Sequence, residues 1–204
     1  VSRFTTLTSR AAPLAEADID TDVIIPARFL LLLDKAGLGR HLFHERRHDR
    51  SGALEPDFVL NRPPFDRAEI LVAGRNFGCG SSREQAVWAL VDFGIRCIIA
   101  PSFGEIFFAN CFKNGTLPIA LDAAPYGEVL AAAEAEAAVT VDLTAQEIRL
   151  ARAEPIPFAV DPQSRRALLL GLDEIGMILA EDLPEIEAFE VLHRRAAPWL
   201  FLGD

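Results

Sequence analysis

The 204-residue sequence predicts an α/β domain built on a partly parallel sheet with flanking helices. Three observations carry that expectation. Short apolar runs at residues 70–73, 95–100 and 117–121 read as buried strands. Helical patterns over residues 84–93 and 103–113 separate them and are closed by Gly94 and Gly115. Strand, helix, strand, helix, strand is the order of βαβ units, which set strands parallel and carry the connecting helices across the sheet.

The first of these strands leads into the most informative stretch, ILVAGRNFGCGSSRE at residues 70–84. Gly74, Gly78 and Gly80 fall within seven positions and allow close approach of backbone to a ligand. Ser81 stands three residues before Glu84, the spacing of a capping box. The Ser81 and Ser82 hydroxyls, the Arg83 guanidinium and the first amides of a helix would then converge at the carboxyl end of a strand. An anion is the ligand that such a convergence suits. The competing reading is plain helix capping. A Walker loop needs lysine where Gly80 stands, a dinucleotide fingerprint needs a small residue where Arg83 stands, and a nucleophile elbow needs glycines flanking the serine at two residues on each side.

Upstream, DIDTDVIIPARFL at residues 18–30 alternates three aspartates. An EF-hand counted from Asp18 would need glycine at Val23 and glutamate at Phe29, so calcium is not expected. The segment reads as a turn in which aspartates hold backbone amides, stopped at Pro26, with Asp22 available to hold a cationic or hydroxyl group. RHLFHERRHDR at residues 40–50 places His41, His44 and His48 at helical spacing among charges, as on a solvated or partner-facing helix. Residues 51–64 read as a long connecting loop. Downstream follow a helix over 125–138, a hairpin of 139–143 with 148–150, a strand over 156–160, and helices over 165–170, 173–179 and 184–195. No internal repeat or low-complexity linker divides the chain, and residues 1–204 read as one domain.

Composition removes several function classes. A formal charge of −10 disfavours nucleic acid and anionic membrane, which are bound by neutralising phosphate. No apolar run approaches the roughly 20 residues of a membrane helix, and the first ten residues lack a signal-peptide core, so a cytoplasmic protein is expected. Cys79, Cys97 and Cys111 have no metal-ligand spacing and read as buried thiols. An anion bound to so acidic a chain would require positive charge concentrated at the site.

The segments DTDVIIPARFL (20–30), FVLNRPPFDRAEILVAGRNFGCGSSRE (58–84) and IIAPSFGEIFFANCFKNGTLPI (98–119) together resemble the small subunits of bacterial 3-isopropylmalate dehydratases, in the aconitase superfamily. IPFAVDP (156–162) and GLDEIG (171–176) extend the likeness over most of the chain. The resemblance implies the swivelling β/β/α domain of that superfamily and a hydro-lyase of leucine biosynthesis, active with a large subunit that carries a 4Fe-4S cluster; this chain would bind no cofactor of its own. It implies that Ser81 is the catalytic base and that Ser82, Arg83 and Asp22 meet the substrate. Leu31 and Leu32, followed by Leu33, would lie in the loop that selects the substrate side chain. The family pattern has histidine where this chain has Gln85. Related alternatives are a hydro-lyase for citraconate, citramalate or a dimethylmalate, and a carboxylate-binding module without chemistry.

Overall fold

The computed structural model describes residues 2–32, 34–151 and 153–201. Its frame is a sheet of seven strands among those residues: β1 (Thr6–Leu14), β2 (Ile70–Ala73), β3 (Cys97–Ala100), β4 (Leu117–Ala120), β5 (Ala138–Asp142), β6 (Glu147–Leu150) and β7 (Ile156–Pro157), in the order β4-β3-β2-β1-β5-β6-β7. The first four in sheet order run parallel, and β5, β6 and β7 add on antiparallel. The partly parallel sheet of the sequence reading is therefore present, with a strand it did not assign at the centre. β1 joins the two halves by pairing with β2 on one side and β5 on the other. Its sequence, TLTSRAAPL, alternates too weakly to announce a strand.

All four residues of β2 and of β3 are buried, as strands covered on both faces must be. Successive side chains divide between two cores. Leu71, Ala73 and Ile98 pack with Val87 and Leu90, whereas Ile70, Val72 and Ile99 pack with Val129, Val141 and Leu168. The helices on the first face are α3 (Glu84–Phe93) and α4 (Glu105–Lys113), and on the second α5 (Ala123–Glu134) and α6 (Pro162–Leu170). Gly94 closes α3 in the left-handed conformation, its N–H donating to the Leu90 and Val91 carbonyls.

Four sequence expectations are corrected. Residues 40–50 do not form one helix: a 3-10 turn (Leu38–His41) is followed by the fully buried Leu42 and Phe43, the latter at φ 48°, and by the single turn α2 (His44–Arg47). Burial of Leu42 and Phe43 breaks the run, and Arg47 is itself buried, donating to Asn61 Oδ1 at 2.9 Å and to the Gly39 carbonyl at 3.1 Å. The helix expected over 125–138 ends at Glu134, because Ala138 already pairs with Arg10 in the sheet. The strand at Ile156 stops after Pro157, where Phe158 and Val160 turn their amides onto Gln146. The last two expected helices are one, α7 (Glu174–Ala196), running through Pro184. Proline deprives the carbonyl of residue 180 of its donor, but Ala180 is exposed and water can supply one. Leu33 lies outside the described residues.

The loops that follow β2 and β3 meet backbone to backbone. Gly104 N–H donates to the Phe77 carbonyl at 2.9 Å, and a Cβ on Gly104 would stand 2.5 Å from the Gly78 carbonyl oxygen. Gly104→Ala is accordingly expected to destabilise the chain by about 1–3 kcal/mol in urea unfolding, as overpacking against backbone does. Gly127, inside α5 with nothing within 4 Å of its would-be Cβ, is the internal control; Gly127→Ala is expected to stabilise by up to about 1 kcal/mol.

Candidate active site

Loops at the carboxyl ends of β1, β2 and β3 converge. Asp20 bridges to Cys79 and Phe77 to Phe103, each as an isolated parallel pair. Around these bridges Gly78 N–H donates to the Ile19 carbonyl at 2.8 Å, Thr21 N–H to the Cys79 carbonyl at 3.0 Å, and Asn76 N–H to Ser102 Oγ at 2.9 Å. Asn76 Nδ2 and Arg75 Nη2 both donate to the Asp18 carboxylate, at 2.8 and 3.0 Å. Gly78 and Gly80 have φ of 72° and 83°, which their neighbours could not adopt without strain.

The turn α1 (Thr21–Ile24) begins where the β1 loop meets the β2 loop. Asp20 caps it through Val23 N–H at 2.8 Å, as expected of an aspartate turn. Thr21, buried, donates its hydroxyl to the Ser81 carbonyl at 2.8 Å. Sequence reasoning passed over Thr21; its place between two aspartates was the available signal. The backbone of Ser81 is thus held while its side chain stays free: Ser81 and Ser82 are exposed, and neither hydroxyl makes a hydrogen bond among the described residues.

The capping box is not formed. α3 starts at Glu84 with Arg83 as its N-cap, which places Ser81 two residues before the cap. Glu84 instead accepts from Trp88 Nε1 at 3.1 Å and Asn114 Nδ2 at 2.9 Å. Those bonds keep its carboxyl below the ordinary range, that to Asn114 most of all. The Thr21 hydroxyl holds the Ser81 carbonyl at the bend before the helix, and Arg83 is in extended backbone, so the helix begins later than the local pattern predicts.

Arg83 and Asp22 form a two-pronged pair: Nη1 meets Oδ1, and Nη2 meets Oδ2 at 2.9 Å. The guanidinium is 14% exposed and the carboxylate 55%. The hydrogen bond from Arg83 lowers the Asp22 carboxyl from its ordinary range, and the same bond raises the guanidinium. Asp22 Oδ1 also accepts Ala27 N–H at 3.2 Å, which ties the pair to the next turn. That 3-10 turn (Ala27–Leu31) buries none of its residues, leaving Leu31 86% and Leu32 38% exposed. The structure therefore assembles Ser81, Ser82, Arg83 and Asp22 on one set of loops and sets Leu31 and Leu32 on the turn attached to Asp22.

The expected excess of positive charge is not found. Arg83 is matched by Asp22 and Arg75 by Asp18, with Asp20 close by. Three of the five Arg83 N–H donors remain beyond the two given to Asp22.

The resemblance puts a 4Fe-4S cluster on a large subunit, and the three cysteines of this chain do not fit the ligation of one. Cys97 and Cys111 are fully buried in opposite cores, burial pushing both thiols away from the thiolate form. Cys79 lies in the β2 loop, its thiol raised by burial and by Asp20 and Asp18. All three are free thiols, and among the described residues no group of three or more His, Cys, Asp or Glu could hold a metal ion.

A family model for the Aconitase C-terminal domain matches residues 1–124, which contain all of the parallel strands and the converging loops. The 3-isopropylmalate dehydratase small subunit of Rhodospirillum centenum is 53% identical over 98% of this chain and 98% of its own length. That of Dinoroseobacter shibae is 52% identical over 98% and 100%. A crystal structure of 3-isopropylmalate dehydratase from Methanocaldococcus jannaschii is 28% identical, superposes with a TM-score of 0.65, and is covered over 99% of its length by 90% of this chain. The chain belongs to the Aconitase C-terminal domain family, among the small subunits of 3-isopropylmalate dehydratase.

Proposed function

We infer that this chain is the small subunit of a 3-isopropylmalate dehydratase, a hydro-lyase that isomerises 2-isopropylmalate to 3-isopropylmalate through isopropylmaleate in leucine biosynthesis. The observation that carries the reading is the exposed, unbonded Ser81 hydroxyl on a clamped backbone, beside a paired Arg83, in a chain half identical to such subunits. The reaction removes a carbon-bound proton and a hydroxyl, then returns water with the positions exchanged. Ser81 takes the proton, Ser82 and the spare donors of Arg83 hold a substrate carboxylate, and Asp22 orients Arg83. Leu31 and Leu32 meet the isopropyl group, for which their exposed apolar surface is suited.

Because Arg83 and Arg75 are already matched by aspartates, further donors for a doubly charged substrate come from the large subunit. The same subunit carries the 4Fe-4S cluster, for which the described residues of this chain offer no ligand set. Among the described residues no helix is long and apolar enough to cross a membrane. Three free thiols fit a reducing compartment such as the cytoplasm, and the formal charge of −10 disfavours anionic membrane and nucleic acid as partners. The continuity of the sheet through β1 supports treating residues 1–204 as one domain.

Ser81→Ala, in the pair reconstituted with the large subunit, is expected to lower kcat by about 10²–10⁴-fold, the range for loss of a positioned acid-base group. Substrate affinity by calorimetry should change little, and unchanged turnover would remove Ser81 as the base. Arg83→Lys keeps the charge and loses the fork. For that variant kcat/KM is expected to fall at least about tenfold with unchanged circular dichroism, the cost of one charge-assisted hydrogen bond. Assayed side by side, 2-isopropylmalate should exceed citramalate in kcat/KM by about 10-fold or more, since each lost methylene costs about 1–3 kcal/mol.

A further inference from the structure

The 3-10 turn bearing Leu31 has no buried residue, yet two of its attachments fix where Leu31 and Leu32 stand. One is the Ala27 N–H bond to Asp22. The other is Phe29, whose ring lies flat on His41, with centroids 4.0 Å apart and planes 15° apart, and touches His44 at 5.0 Å. His44 in turn stands 5.9 Å from His41 and stacks on His48 at 4.5 Å. Phe29 and Leu30 reach the first core, which contains the neighbouring Leu42 and Phe43.

The histidine nearest the turn must be neutral to hold its place. Arg40 Nε donates to His41 Nε2 at 3.1 Å, so that nitrogen serves as an acceptor and carries no proton. His44 Nδ1 is buried without a hydrogen-bond partner among the described residues. The charged groups acting on His41 and His44 are Arg28 from the turn, with Arg40, Glu45 and Arg47 from the segment that bears the histidines, while Asp49, Arg50 and Glu55 line the hollow beside His48. Glu45 is the sole carboxylate among the four acting on His41 and His44 and is already paired with Arg28, whose guanidinium also sits 4.6 Å over the Phe29 ring.

We propose that His41, backed by His44 and His48, is a positioning residue for the substrate-selecting turn: its neutral ring holds Phe29, and through it Leu31 and Leu32, in place for the substrate's alkyl group. This rests on the role proposed above for Leu31 and Leu32. A proton on Nε2 would replace the bond to Arg40 with repulsion and bring a second cation against Arg28. Burial, then the surrounding cations and other histidines, lowers both His41 and His44 below the ordinary imidazole range. A group whose folded pKa is lowered contributes fully above its unfolded value, about 6.5. The contribution is lost as pH falls below that value toward the folded pKa. The turn is therefore held at neutral pH and released in mild acid.

The test uses the reconstituted pair and the full chain alone. Between pH 7.5 and 5.5, KM for 2-isopropylmalate is expected to rise at least about threefold more in the wild type than in His41→Phe, which keeps a ring and cannot titrate. Ionisation of the substrate is common to both and cancels in that ratio. Phe29→Leu, which retains apolar bulk, is expected to raise KM about two- to tenfold at pH 7.5 with kcat nearly unchanged, the loss of one aromatic stack. In the full chain alone, methyl resonances of Leu31 should titrate with the His41 ring proton in the wild type and stay fixed in His41→Phe. Equal pH dependence of KM in both proteins, or Leu31 methyls indifferent to the His41 titration, overturns the proposal. Methyls that follow His41 in a pair inactive on isopropylmalate uphold the coupling and overturn the assigned reaction instead.

Discussion

The site depends on three loops meeting at backbone distance. Parallel strands deliver their carboxyl ends to one edge of the sheet, and hydrogen bonds between main-chain groups lock the loops there: Gly78 to Ile19, Thr21 to Cys79, Gly104 to Phe77. Side chains at Gly74 or Gly104 would collide with carbonyl oxygens at 2.1 and 2.5 Å, so the approach exists only because those positions carry none. A group presented from such a junction has little further conformational entropy to lose on meeting a ligand, which is how prior ordering of a site favours reaction.

Electrostatics at the junction is balanced rather than strongly positive. Each of the two arginines here is matched by an aspartate, and the Asp22 partner remains more than half exposed. The pair therefore contributes little to folding, as exposed ion pairs do, and its value lies in aiming a planar guanidinium from a fixed direction. Asp22 also accepts from Ala27, so the group that aims Arg83 anchors the turn bearing Leu31. The guanidinium and the exposed apolar turn are thus tied to one carboxylate.

Much of the site was legible in the linear chain because glycines and chemically distinctive side chains cluster within residues 70–84 and 18–32. The buried runs of β2 and β3, the helices between them and the glycine that closes α3 all follow from local pattern. Ser81 as an N-cap was misread because the capping box is a local rule, and the Thr21 hydroxyl, sixty residues away, claims the Ser81 carbonyl, with the helix starting only after the extended Arg83. The histidines at 41, 44 and 48 suggested a single helical face. They do form a column, assembled from a 3-10 turn, a helical turn and the residue after it, because Leu42 and Phe43 turn into the core between them.

The amino-acid sequence by itself determined the βαβ alternation, the glycine-rich junction and the clustering of Ser81, Ser82 and Arg83 beside it, since each depends on residues close together along the chain. Tertiary structure alone decided that β1 stands at the middle of the sheet, that Asp22 is the partner of Arg83, and that Leu31 faces solvent instead of the core. Those outcomes are set by pairing across tens of residues, where burial and hydrogen bonding with distant segments outweigh the local preferences a sequence displays.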